Sequence, residues 1–202
     1  GGGGATVEQL SSLVEYGTSE KASEQPTGIP VLRMGNVVEG ELAFDDLKYL
    51  PNGHKEFPKL FLAPGDLLFN RTNSPELVGK TAVFCGTPKL CSFASYLIRV
   101  RLVHGCTSEL LAAYINSLHG RRWVKSVVTQ QVGQANVNGT KLQALNVPLP
   151  PESEQQRIVA EIDRRLSLVR GVEAEVDTNL KRAERLRQAV LARLFGQGMR
   201  CA

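Results

Sequence analysis

Cysteine is scarce: Cys85, Cys91, Cys106 and Cys201 are the only four in 202 residues. None forms a C-x-x-C pair, and His54, His104 and His119 stand at no ligand-like spacing from them, so no metal site is expected. Cys85 and Cys106 lie in apolar contexts and read as reduced core residues, which favours the cytoplasm. Long apolar runs are missing as well. The longest, at 110–115, is six residues, far short of a bilayer span. No basic segment precedes an apolar stretch, so neither a secretory signal nor a membrane partner is expected.

Catalytic signatures are equally thin. No G-x-S-x-G, H-E-x-x-H or convincing Ser/His/Asp set is present. Gly79-Lys80-Thr81 matches the end of a P-loop, but the first glycine of that motif is replaced by Ser74. The following Ala82-Val83-Phe84 looks like a strand, where a P-loop must open a helix. Asp46-Leu47-Lys48 matches half of a metal-dependent nuclease centre, with no Pro-Asp pair upstream to complete it. Dense glycines that could hold a methyl-donor cofactor occur only at Gly1–Gly4. No catalytic residue, metal or bound cofactor is expected in this chain.

What is present is uneven charge. Residues 1–66 carry 5 Lys/Arg against 10 Asp/Glu, residues 67–151 carry 9 against 2, and residues 152–202 carry 10 against 8. A basic middle third is the footprint of a surface that meets a polyanion. The competing reading is a basic loop set balanced by acidic neighbours in the same fold. Within this stretch Arg71, Asn73 and Lys80 follow an apolar run. Gln130, Gln131, Gln134, Asn136 and Asn138 crowd one loop ahead of Lys141. Arg, Asn and Gln are the side chains that read base edges, and Lys holds phosphates. Such amides also serve simply to satisfy turn backbones.

Pattern divides the chain at Pro148-Leu149-Pro150-Pro151. Residues 1–12 read as a tag or disordered start, 13–151 as a globular domain, 152–196 as one helix and 197–202 as a tail. Ile29–Val38, Asp66–Phe69, Val78–Cys85 and Phe93–Val103 are strand-like. Ser108–Leu118 is helical, with Thr107 or Ser108 as cap and Leu111, Ile115 and Leu118 on one face, and Arg121–Val128 continues it after Gly120. Gly133–Gly139 reads as a polar loop. The class is α+β, a small mixed sheet followed by a long helix that pairs in a coiled coil.

That helix opens with Ser153 and Gln156 spaced as a capping box. Apolar or small residues recur at Ile158, Ile162, Leu166, Val169, Val172, Val176, Leu180, Ala183, Leu186, Val190 and Leu194. The spacing averages the helical period, so they form one stripe. Gly196 and Gly198 supply the stop. At 1.5 Å per residue the helix is about 65 Å long. That is more than a compact domain can cover, so the stripe calls for a partner helix.

The string GDLLFNRTNSPELVGKTAVF at 65–84 closely resembles a recurrent segment of the specificity subunits of type I restriction-modification systems. IPVLRMGNV (29–37), FASYLIRVR (93–101), VGQANVNGTKLQALNVPLPP (132–151) and EQQRIVAEID (154–163) follow the family's order, so the likeness runs from about Leu13 to Phe195. The resemblance implies a non-catalytic DNA target-recognition domain and a spacer helix. It implies double-stranded DNA, a methyltransferase (M) subunit and a restriction (R) subunit as partners, with S-adenosylmethionine, ATP and magnesium on those partners. The family ordinarily carries two such domains and two antiparallel helices. One domain and one helix imply a half-subunit or a fragment, and a homodimer through the helix.

A segment common to proteins with different targets should not choose the sequence. Arg71 and Lys80 are therefore expected at phosphates. Base readout is expected in stretches outside the family pattern: His54 and Lys55, and Pro88–Ser92 with Lys89. Two other readings stay open. One is the recognition part of a combined cleavage and methylation enzyme, and the other is a helical scaffold that binds only protein.

Overall fold

Leu67, Leu68 and Phe69 form an unbroken apolar run because the strand they build is buried on both faces. Successive side chains on a strand point to opposite sides. Leu67 and Phe69 enter one core with Ile98, Val100, Leu111, Ile115, Val124, Val137 and Leu142. Leu68 enters another with Leu32, Leu60, Phe84, Phe93 and Leu97. The strand belongs to a four-stranded antiparallel sheet in the order Ser11–Tyr16, Leu97–Leu102, Leu67–Asn70, Thr81–Val83. In this computed structural model, residues 3–103, 105–131 and 134–196 are described; His104, Gly133, Gly198, Cys201, the tail 197–202 and the side chains of Gln130 and Gln131 lie outside the described residues.

Smaller sheets flank the central one. Ser92–Phe93 runs parallel to Ile29–Leu32, which pairs antiparallel with Lys48–Leu50, giving the mixed sheet. Thr129–Gln131, Gln134–Asn136 and Thr72–Asn73 make a third sheet. Hence 134–136, read as polar loop, is its central strand. Val37–Val38 pairs with Glu41–Leu42. The expected strand Ile29–Val38 is thus broken by a 3-10 turn at Met34–Asn36. Phe93–Val103 is likewise two strands separated by Ala94–Tyr96.

The expected disordered start is also corrected. Gly4–Thr6 pairs with Asn146–Pro148, and Thr6 and Gln9 form a capping box over helix Val7–Leu10, whose Val7 and Leu10 are buried. The helical segment after 107 is two helices. Thr107 caps Ser108–Asn116, and Ser117 accepts from Gly120 N–H to cap Leu118–Val127. Leu118 is therefore a start residue and 64% exposed, not a core position. Cys85 is exposed, while Cys91 is the buried thiol, pushed up to about 12 by burial.

The last helix spans Glu152–Gly196. Ser153 lies inside its first turn. The Pro151 carbonyl takes the first bonds, from Glu154 and Gln155 N–H. Gln155, 1% exposed, accepts from Thr107 N–H and donates to the Gly105 and Pro150 carbonyls. Residues up to Val159 accordingly belong to the globular unit, and those from Ala160 onward form a second. In the second unit Leu166, Val169, Val172, Val176, Leu180, Leu186, Val190 and Leu194 are exposed. Ile158 and Ile162 are partly buried, and Ala183 is exposed. No helix of the described residues is long and apolar enough to cross a membrane.

Candidate nucleic-acid interface

Arg71 sits where the central sheet hands over to the third one. Its N–H donates to the Tyr96 carbonyl at 3.0 Å, and its carbonyl accepts from Val137 N–H at 2.9 Å. With the backbone held on both sides, the guanidinium lies 4.8 Å from the centre of the Tyr16 ring and donates to the Ser95 carbonyl at 3.4 Å. Tyr16, in turn, accepts from Gly139 N–H at 2.7 Å through its hydroxyl. An arginine stacked on an aromatic face is pre-oriented at little entropic cost.

The ladder next to Arg71 gathers several of the expected amides. Ala135 faces Asn73 and Asn136 faces Thr72 in register. Gln134 is exposed. Asn136 donates to Thr72 Oγ1 at 2.7 Å, which fastens the two strands. The Asn73 side chain accepts from Ser74 N–H. Asn138 is an N-cap, its side chain accepting from Lys141 N–H and opening helix Gly139–Gln143. The Lys141 ammonium donates to the Val127 carbonyl at 2.5 Å and to Thr129 Oγ1 at 2.7 Å, so it pins the last turn of one helix to the following strand. Gln131 faces Gln134 across the hairpin by its backbone.

The remaining expected residues do not join this group directly. His54 packs on Phe57 with ring centres 5.3 Å apart, and its Nδ1 accepts from Glu56 N–H. Lys55 is paired with Glu20 at 2.7 Å. Lys89 is exposed. Lys80 is partly buried, its carbonyl accepting from Asn70 N–H. It follows Gly79, whose positive φ of 83° and contact with Val124 (2.6 Å to a Cβ placed there) leave room only for glycine. Thr81 then begins a strand and donates to the Gly79 carbonyl, so the P-loop likeness is refuted by geometry. In the nuclease-like triplet, Asp46 pairs with Arg33 and Lys48 with Glu24.

Much of the basic middle third is spent inside the fold. Arg99, 1% exposed, pairs with Glu15, donates to the Phe61 carbonyl at 2.7 Å and to the Lys59 carbonyl at 3.1 Å, and lies over Phe93. Arg101 grips Asp66 through two bonds of 2.7 Å. Asp66 also accepts from Ala63 N–H, which closes the turn at Gly65. Burial opposes ionisation of Glu15, but hydrogen bonds from Lys59 and Arg99 outweigh it and hold the carboxyl below its usual range. Arg121 donates to the Val78 and Glu76 carbonyls, and burial lowers its pKa. The acidic first third therefore neutralises part of the basic stretch, and the surface charge is smaller than the sequence count. Tyr16, Tyr96 and Arg33 are surface residues that sequence reasoning missed. The available signal was an aromatic adjoining each basic or polar segment.

A two-core domain bearing a stacked arginine and clustered amides, followed by a long helix with an exposed apolar stripe, has the make-up of a recognition module. Residues 7–176 match the type I restriction modification DNA specificity domain, and the chain belongs to that family. It is 30% identical over 194 residues to the type I restriction enzyme EcoKI specificity subunit of Escherichia coli K12, covering 93% of this chain and 41% of that protein. It is 27% identical over 169 residues to the StySPI specificity subunit of Salmonella potsdam, covering 83% and 36%. A chain from the structure of a type I R-M system in complex assembly and conformational transition has the same fold, with a TM-score of 0.68, 21% identity, and 96% and 45% coverage. The HsdS subunit of Thermoanaerobacter tengcongensis gives 0.60, 20% identity, and 85% and 38% coverage. The chain thus spans less than half the length of these relatives.

Proposed function

We propose that this chain reads one half of a bipartite double-stranded DNA site and directs methyltransferase and restriction subunits to it, performing no chemistry itself. The observation that carries this is the Tyr16–Arg71 stack set against the ladder of Asn73, Gln134 and Asn136. Arg71 is the phosphate contact in this reading, and Gln134 and Asn73 lie nearest the bases. S-adenosylmethionine, ATP and magnesium belong to the partner subunits, and the complex works in the cytoplasm. In this reading Asn138 and Lys141 shape the surface more than they touch DNA, since the Asn138 Oδ1 caps a helix and the Lys141 ammonium bonds within the domain. The test is co-expression with a cognate methyltransferase subunit, co-purification, and sequencing of methylated sites. Retention of the M subunit and methylation of one defined motif are expected. A complex that methylates nothing, or no complex, refutes the reading and favours a scaffold that binds only protein.

The helix supports a second copy of this chain as the partner of its stripe. The stripe is palindromic about Val176: Val172 and Leu180, Val169 and Ala183, Leu166 and Leu186, Ile162 and Val190, and Ile158 and Leu194 stand at equal distances on either side. An antiparallel pair of identical helices crossing at Val176 therefore sets apolar against apolar along its length. Charge favours the same direction. Residues 152–176 hold six acidic and four basic side chains, whereas 177–196 hold two and five. Antiparallel packing lays the acidic half on the basic half.

A further inference from the structure

The basic middle third leaves few of its charges free. Of the nine Lys and Arg between 67 and 151, Arg71, Arg99, Arg101, Arg121 and Lys141 are tied to carbonyls, a carboxylate or a ring. Lys80 is partly buried. Among the described residues, Lys89, Arg122 and Lys125 of this set are exposed and make no side-chain hydrogen bond or ion pair within the chain. Arg122 and Lys125 stand one turn apart on helix Leu118–Val127, whose sequence LHGRRWVKSV holds no acidic residue.

This helix turns one clean face outward. His119, Arg122, Lys125 and Ser126 recur at the spacing of a single helix face, and all are exposed. Leu118, 64% exposed, begins the same face. The opposite face is anchored. Gly120 lets the backbone close on the preceding helix, since a Cβ there would stand 2.2 Å from the Ile115 carbonyl. Arg121 donates to the Val78 and Glu76 carbonyls, Val124 is buried beside Gly79, and the Val127 carbonyl accepts from the Lys141 ammonium. The outward groups therefore stand on a held backbone and need little ordering before they bind. The chain then enters Thr129–Gln131, an edge strand of the sheet that carries Gln134, Asn136 and Asn73.

We infer that helix Leu118–Val127 is a DNA-reading helix of the domain, fitted into the major groove, in which Arg122 takes the acceptor edge of a purine, guanine foremost, and Lys125 holds a phosphate. The inference rests on the DNA-recognition reading above and adds a surface to it. The major groove, about 12 Å wide, admits an α-helix, and a guanidinium pairs with guanine O6 and N7. Leu118, Arg122 and Ser126 follow one another at intervals of four. An apolar group, a guanidinium and a hydroxyl along one ridge match the methyl, acceptor and mixed edges that bases present. An acidic protein surface would call for the charge alone. Residues 102–131 fall between the family-like strings at 93–101 and 132–151, so this helix is free to differ between proteins with different targets.

Wild-type, Arg122→Ala and Lys125→Ala chains, each co-expressed with the methyltransferase partner, test it by two readouts: the methylated motif in the cell, and binding of the purified complex to a duplex carrying the wild-type motif across a salt series. Both side chains are exposed and unbonded, and alanine is the best helix former, so the variants should fold. With Arg122→Ala, sites altered at one base pair should gain methylation about tenfold relative to the wild-type motif. With Lys125→Ala, the motif should stay as it is, binding should weaken evenly, and the slope of log affinity against log salt should flatten by about one unit. The inference is overturned if the double variant Arg122→Ala/Lys125→Ala keeps wild-type affinity, motif and salt slope. It is also overturned if Arg122→Ala weakens every site evenly, which is phosphate behaviour and leaves the helix outside the groove. Loss of the methyltransferase subunit from either variant complex would make an acidic protein surface the occupant and overturn it as well. A wild-type complex that methylates nothing refutes the parent reading, and so is told apart from failure of this helix alone.

Discussion

The globular unit and the helix treat the same residue types in opposite ways. In the domain, Leu, Ile, Val and Phe fill two cores on either side of the central sheet, and arginines are drawn inside to meet carboxylates and carbonyls. Along the helix from Leu166 to Phe195, large apolar side chains stand 37% to 71% exposed. There Arg164 and Arg165 pair with Glu161 one helical turn away and pull its carboxyl down to about 2. Burial and pairing in the first unit complete a fold. The same apolar content in the second unit lies exposed along one stripe, which in the proposed self-pairing would be half of an interface. Exposed pairs on a helix contribute little to stability, so the helix depends on what covers its stripe.

The sharpest way to break this contrast is to remove that cover. In the proposed antiparallel pair Val176 would meet its own mate at the centre of the palindrome, so Val176→Asp would put two carboxylates face to face in an apolar seam. A change from a mass of two chains to one is expected at micromolar concentration by light scattering, with the melting of the domain unchanged. A wild-type chain of single mass would refute the self-pairing. Within the domain, the comparable lesion is Asp66→Ala. It strips Arg101 and Arg99 of a buried carboxylate and frees Ala63 N–H. Loss of one partner of a buried pair costs about 3–5 kcal/mol, which denaturant unfolding would register, and the helix should still associate if the two units are energetically separate.

A smaller effect should follow pH. Glu15 has a folded-state pKa below its unfolded value. Its contribution is therefore present above the ordinary carboxylate range and is lost as pH falls through the lowered value. Glu15→Gln should be less stable than wild type near neutrality, and the difference should shrink as the solution is acidified below that range. A gap that stays constant with pH would mean that Glu15 acts through packing rather than charge.

Legibility in the sequence followed the range of the interactions. The helix shows in its own period, and strand Leu67–Asn70 shows in its apolar run. The uncovered stripe was legible for the same reason. Gly4–Leu10 was not, because its strand is made by Asn146–Pro148 at the other end of the domain. The basic middle third was overread as surface because the partners of Arg99 and Arg101, Glu15 and Asp66, are distant or hidden in a turn. Asn138 and Lys141 were read as DNA-contacting residues of a polar loop, and their engagement in a cap and a carbonyl clamp depends on atoms that spacing does not reveal. Arg33 and Tyr96 stand more than sixty residues apart in the sequence, and only the folding of Thr18–Glu24 against Ala94–Tyr96 brings them to one cleft.

Asn138 offers the finest division between holding the fold and touching DNA. Its side chain accepts from Lys141 N–H at the start of Gly139–Gln143, and the next residue donates to the Tyr16 hydroxyl that underlies Arg71. Removing an N-cap costs about 1 kcal/mol, a shift of roughly 2–4 °C in melting temperature for a domain of this size. Asn138→Ala should show that loss while leaving the methylated motif unchanged, and Asn138→Asp, which keeps the cap, should restore the melting temperature. Gln134→Ala, on the exposed position of the same hairpin, should do the reverse, with melting unchanged and the motif relaxed. If Asn138→Asp recovers stability but still alters the motif, the side chain reads DNA in addition to capping, and the separation between the scaffold and the reading surface runs one residue further along the chain than its hydrogen bonds imply.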